Sequence, residues 1–166
     1  ELIFNLDDLN KKYHPFCIFD LNQYKNQCSY LDRQYAITPP EKFNLLEGMP
    51  VGIKDIFNTI DFPTEMGSPI WKNFTPGNDA RVVHYLRNAG ATIIGKTITA
   101  EFAVHHLNET LNPFDIRKTP GTSSSGSAVA VALGLIPFAL GSQTAASIIR
   151  PASFCGVYAM KPSFGL

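Results

Sequence analysis

The feature that most constrains the fold is the run Ala128-Val129-Ala130-Val131-Ala132-Leu133, apolar on every side and preceded by the hydroxyl-bearing stretch Thr122-Ser123-Ser124-Ser125. A helix without a polar stripe has to be covered all round, so this one belongs inside a layered structure. Ser125 can cap it. Strand candidates lie on both sides, at 49–53, 91–94 and 135–141, each short and rich in apolar residues. Asn78 reads as the N-cap of a helix over 79–89, with Val82, Val83, Leu86 and Ala89 on one face and Gly90 as its terminator. A further helical stretch is expected near 99–105, and a short helix from Ser147. Helix and strand alternate, which predicts an α/β sheet.

Before residue 48 the texture differs. A short strand is expected at 16–19 and a polar helix at 21–35, ended by Thr38-Pro39-Pro40. Residues 1–47 therefore read as a peripheral segment and 48–166 as the beginning of an incomplete catalytic domain. The chain opens without Met and closes on Lys161-Pro162-Ser163-Phe164-Gly165-Leu166, as a piece of something longer would.

Fourteen basic and fourteen acidic side chains cancel, which gives no field for a polyanion or an anionic membrane surface. No apolar stretch is long enough for a transmembrane helix, and the N-terminal residues Glu1-Leu2-Ile3-Phe4-Asn5 lack the basic flank and long apolar stretch of a signal peptide, so a cytoplasmic protein is expected. Cys17, Cys28 and Cys155 are unrelated in spacing and suit reduced packing residues, Cys155 a buried one.

Two Gly-rich stretches compete for a function. Gly90-Ala91-Thr92-Ile93-Ile94-Gly95-Lys96-Thr97 satisfies the Walker A pattern. Its Thr-Ile-Ile centre is itself strand-like and follows a helix, whereas a phosphate loop follows a strand; the stretch reads better as a helix-to-strand turn carrying a surface lysine. The second, Pro120-Gly121-Thr122-Ser123-Ser124-Ser125-Gly126-Ser127, holds more hydroxyls than a helix cap uses. Packed before a buried helix they can form a hydrogen-bond relay. Such a relay needs a nucleophile and a proton acceptor.

Ser147 is the candidate nucleophile, because small residues, Thr144-Ala145-Ala146, precede a serine that opens a short helix and would gather backbone N–H groups into an oxyanion hole. The alternative is a plain N-cap. Of the histidines, His14 lies in the peripheral segment, His84 on an exposed helix face, and His105 and His106 are neighbours that cannot both face one site. Lys54 is the other base. At the end of the apolar strand Met49-Pro50-Val51-Gly52-Ile53 it loses hydration, and a neutral lysine can take a serine proton; Lys54-Asp55 as a solvated pair is the bland alternative.

Taken together, Gly48-Met49-Pro50-Val51-Gly52-Ile53-Lys54-Asp55, Gly95-Lys96-Thr97, Glu101-Phe102-Ala103 and the block from Thr119 through Ser163 resemble the amidase signature family, in order and correctly spaced. The resemblance implies an α/β/α sandwich around a mixed sheet, here truncated. It implies a Ser-Ser-Lys triad of nucleophile Ser147, bridging Ser123 and base Lys54, with Ser124 supporting the bridge. The N–H groups of Thr144, Ala145, Ala146 and Ser147 would hold the oxyanion, and a non-proline cis peptide would precede Ser123. No cofactor or metal is implied. The partner would be a small-molecule amide, with a homodimer or the missing C-terminal part of the same chain completing the site.

Some positions depart from the family pattern. Thr122 and Ser125 stand where glycines are frequent, Ala145-Ala146 replace Gly-Gly, Gln143 replaces Asp, and Arg150 falls one place late. The implied function is amide hydrolysis through an acyl-enzyme. Alternatives are the glutaminase subunit of a tRNA-dependent amidotransferase and a catalytically inactive relative.

Overall fold

A four-stranded mixed sheet, ordered β1-β3-β2-β4, forms the centre of the molecule. Its strands are β1 (Phe16–Phe19), β2 (Pro50–Lys54), β3 (Thr92–Thr97) and β4 (Phe138–Leu140). The coordinates are a computed structural model that describes residues 2–165. β2 runs parallel to both β3 and β4, and β1 closes the other edge antiparallel to β3. Parallel neighbours need crossover connections, and helices supply them: α3 (Arg81–Asn88) lies between β2 and β3, and α4 (Ser125–Ala132) between β3 and β4.

The two helices cover opposite faces. Val51 and Ile53 of β2 and Ile93 of β3 pack with Val83 of α3. Ile94 packs on the other face with Ala130 of α4, Leu6 and Phe16. The result is the α/β/α arrangement around a mixed sheet expected from the resemblance. Gly126 allows α4 to approach: a Cβ there would come within 2.2 Å of the Pro15 carbonyl oxygen and 2.4 Å of the Ile98 amide nitrogen. That close contact sets the start of α4 directly over the end of β3.

Residues 2–47 join this body. α1 (Leu2–Tyr13), which no local sequence signal marked, brings Leu6 into the core, and β1 pairs with β3. α2 (Leu21–Tyr35) stays at the surface with no buried residue, capped by Asp20, whose carboxylate accepts from the amides of Asn22 and Gln23.

Several expected boundaries shift. Asn78 does not cap α3. Its side-chain oxygen accepts from Asn58, Asp79 accepts from the Ile60 amide, and the Ala80 amide donates to Asn58, so the 58–61 loop takes these residues and the helix starts at Arg81. Val82, one step or about 100° off the Val83-Leu86 stripe, is exposed. Residues 99–105 form only a 3₁₀ turn, Glu101–Ala103, with Phe102 and Ala103 at positive φ. There the Phe102 amide donates to Met66 and Ser68 Oγ to the Glu101 carboxylate, ties to a loop rather than to a helix. Ser124 sits at the N-cap of α4 and Ser125 is its first residue; β4 is shorter than 135–141.

Candidate active site

Lys54 is the last residue of β2 and has no solvent exposure. Along a strand successive side chains alternate between faces, so with Val51 and Ile53 committed to the α3 side, Lys54 points to the α4 side. Its Nζ donates to Ser123 Oγ at 2.6 Å and Ser142 Oγ at 2.8 Å, with the Ser142 carbonyl at 3.4 Å. These acceptors are all uncharged. Burial without a counter-anion penalises the ammonium and lowers the Lys54 pKa to about 7. Near neutral pH this amine is therefore available to accept a proton.

Ser123 is fully buried at the end of the Gly121-to-Ser123 turn, and the peptide bond between Thr122 and Ser123 is cis. Its carbonyl accepts the Ala100 amide at 3.0 Å, which fixes the serine against the segment following β3. Arg150 Nη1 donates to Thr122 Oγ1 at 3.3 Å. Ser124 joins two loops: its hydroxyl bonds the amide and carbonyl of Ser142, and its amide donates to the Ser147 carbonyl at 3.1 Å. Ser127 Oγ lies 2.7 Å from Thr97 Oγ1 and donates to the Leu140 carbonyl.

Ser147 lies in the turn before α5 (Ile149–Phe154) and is nearly buried. Among the described residues its hydroxyl makes no hydrogen bond, so the expected contact between Ser147 Oγ and Ser123 Oγ is not formed, although their backbones are linked through Ser124. Gln143 shapes the turn: its side-chain oxygen accepts the amides of Ile148 at 2.9 Å and Ile149 at 3.0 Å. The amides of Thr144, Ala145, Ala146 and Ser147 have no acceptor among the described residues, whereas the Arg150 amide already donates to Ala146. Ala146 takes φ 139, a value that strains a residue with a Cβ.

Two residues depart from expectation. Ser142 was missed, yet it supplies two of the three Lys54 Nζ contacts. Its signal is the register: Ile53 pairs with Leu140, so Lys54, the last residue of β2, lies beside the segment leaving β4, where Ser142 stands two residues past Leu140. Lys96, expected at the surface, is fully buried and paired with Asp55 at 2.9 Å, because its strand is central in the sheet. The histidines stay out of the serine cluster; His84, His105 and His106 are exposed.

The Amidase family profile matches residues 1–166. The chain belongs to the amidase family. It is 42% identical over 166 residues to a glutamyl-tRNA(Gln) amidotransferase subunit from Geobacillus kaustophilus, spanning 96% of this chain and 34% of that protein. The match to the Trichormus variabilis subunit of the same name is 40% over 172 residues, covering all of this chain and 35% of the relative. Among solved structures, peptide amidase from Stenotrophomonas maltophilia superposes with TM-score 0.79 at 30% identity, over 91% of this chain and 33% of that one. The corresponding glutamyl-tRNA(Gln) amidotransferase subunit from Thermotoga maritima gives 0.73 at 32%, over 93% and 31%. The chain thus spans about a third of the length of these relatives.

Proposed function

We propose that this amidase-family chain carries the catalytic residues of an amide hydrolase that works through an acyl-enzyme, with Ser147 as nucleophile, Ser123 as proton bridge and Lys54 as base. The observation that carries the reading is a fully buried lysine amine 2.6 Å from Ser123 Oγ with only uncharged partners. In its neutral form Lys54 takes the Ser123 proton as Ser123 takes that of Ser147, and Ser147 Oγ adds to the amide carbon. The free amides of Thr144 to Ser147 receive the oxyanion; one such donor is worth about 3 kcal/mol of transition-state stabilisation. The proton returns along the same path to the leaving amine, and water then cleaves the ester. Closing the relay requires Ser147 Oγ to turn toward Ser123, a contact of the kind that tightens when substrate binds.

A second reading, release of ammonia from glutamine as one component of an amidotransferase, is favoured by the names of the relatives that match at 40 to 42%. Substrates and partner subunits belong to this proposal too, since the chain spans a third of those proteins. The test uses the protein at its natural length. A fluorophosphonate probe labels Ser147, and Lys54→Ala or Ser147→Ala abolishes labelling; an unlabelled Ser147 in folded protein supports the inactive alternative. Turnover of glutamine against simple amides, with and without added subunits, separates the two active readings.

A further inference from the structure

The sheet buries two lysines, and they are treated differently. Ile53 pairs with Lys96 and Lys54 with Thr97 across β2 and β3, so Lys96 shares a face with Ile53 and Asp55, opposite to Lys54. Lys96 Nζ meets Asp55 Oδ1 at 2.9 Å and also donates to Thr64 Oγ1 at 2.7 Å and the Pro63 carbonyl at 3.0 Å. The Asp55 carboxylate also accepts the Glu65 amide, at 3.1 Å to Oδ2 and 3.3 Å to Oδ1. On that face the titratable neighbours of Asp55 are Lys96 from β3, Cys17 from β1 and Glu65 from the following loop. Around the Lys54 amine stand the hydroxyls of Ser123 and Ser142 and, among the described residues, no carboxylate within ion-pair distance.

We propose that the Asp55–Lys96 pair is a positioning device for the base: it holds the carboxylate next in sequence on the opposite face and neutralises it, leaving Lys54 without a counter-anion. This rests on Lys54 being the base. Burial pushes the Asp55 carboxyl up and Lys96 opposes that shift, so Lys96 is what favours the ionised, ion-paired form. Remove Lys96 and burial raises the Asp55 carboxyl without that opposition, so that once it ionises with rising pH it is an uncompensated anion. That anion favours the Lys54 ammonium and withdraws the base.

The readout is the rate of fluorophosphonate labelling of Ser147 against pH, in the protein at its natural length. With Lys96→Met the acidic limb moves up by about one unit, slowing labelling about fivefold at pH 7 and recovering it near pH 9. A residue with only a packing role would lower the rate at every pH and leave the limb in place. Adding Asp55→Asn to Lys96→Met removes both charges and returns the limb to within about 0.3 units of the unsubstituted protein. A limb unmoved in folded Lys96→Met overturns the proposal. Should that variant not fold, the double variant decides: a limb displaced beyond about 0.3 units overturns the proposal, and one within that range sustains it. Lys54→Ala separates the two claims. If it labels normally the base reading falls as well; if it is silent while the Lys96→Met limb stays put, only the role of the pair falls.

Discussion

Lys54 and Lys96 sit on adjacent strands, equally buried, one residue apart in register, and differ only in what the amine meets. Lys96 has a carboxylate and serves the fold. Lys54 has hydroxyls, and burial holds its pKa near 7. The same loss of water thus goes with an ion pair on one face and an amine with a lowered pKa on the other. What decides is whether the facing element contributes an anion. Asp55 lies next to Lys54 in sequence but serves the other lysine, because the strand's period of two sends neighbours apart.

The comparison breaks most completely at Lys54 itself. Lys54→Met should slow acylation by about 10²- to 10⁴-fold, the usual worth of a general base, read as the probe labelling rate. The same substitution should stabilise the fold. Between about pH 7 and the ordinary value of 10.5 the unfolded chain still binds a proton that the folded chain has lost, so stability rises with pH across that window. Below about pH 7 both states are protonated and the cost of a buried ammonium is fully present. The gain in Tm of Lys54→Met is therefore largest below pH 7 and fades toward pH 10. A gain independent of pH would mean the amine is not desolvated.

Lys96→Met should do the opposite to the fold. Leaving Asp55 buried without its cation costs about 3–5 kcal/mol, visible in urea unfolding, while removing both charged groups costs far less. Gln143→Ala is expected to be milder: it strips the acceptor from the Ile148 and Ile149 amides, costing about 1–3 kcal/mol, and should lower kcat more than it raises KM if the turn shapes an oxyanion site. Ser142→Ala sharpens the comparison on the Lys54 side. Loss of one neutral hydrogen bond costs about 1 kcal/mol and leaves the acidic limb of the labelling profile nearly where it was. Smallest is Ala146→Gly, which relieves a positive φ and should raise stability by about 1 kcal/mol in the same unfolding assay.

Much of this was legible from residues alone. The apolar run of α4 demanded a covered helix and received one, and the strand ending at Lys54 fell where its β-branched residues placed it. Strand β1 and helix α2 matched their expected spans, since a four-residue apolar run and an Asp-capped polar stretch are local signals. The expected helix at 99–105 failed because nothing local announces that Phe102 donates to Met66 and that Glu101 is taken by Ser68. Asn78 failed as a cap for a like reason: Asn58 competes for its oxygen. Helix α1 escaped because its identity as a core-facing helix rests on Leu6 packing beneath β3 and α4.

The sequence by itself determined which side chains the proposed chemistry draws on: serines with no histidine near them in the chain, a lysine closing an apolar strand, small residues before Ser147. Those are properties of local composition and period. Only the tertiary structure decided which lysine meets a carboxylate and which meets hydroxyls, because that depends on which loop arrives over each face of the sheet. Ser142 reaches Lys54 from 88 positions away, and Asp55 turns to Lys96 on the neighbouring strand. Contacts over such separations follow from strand register and crossover, which no window of sequence contains.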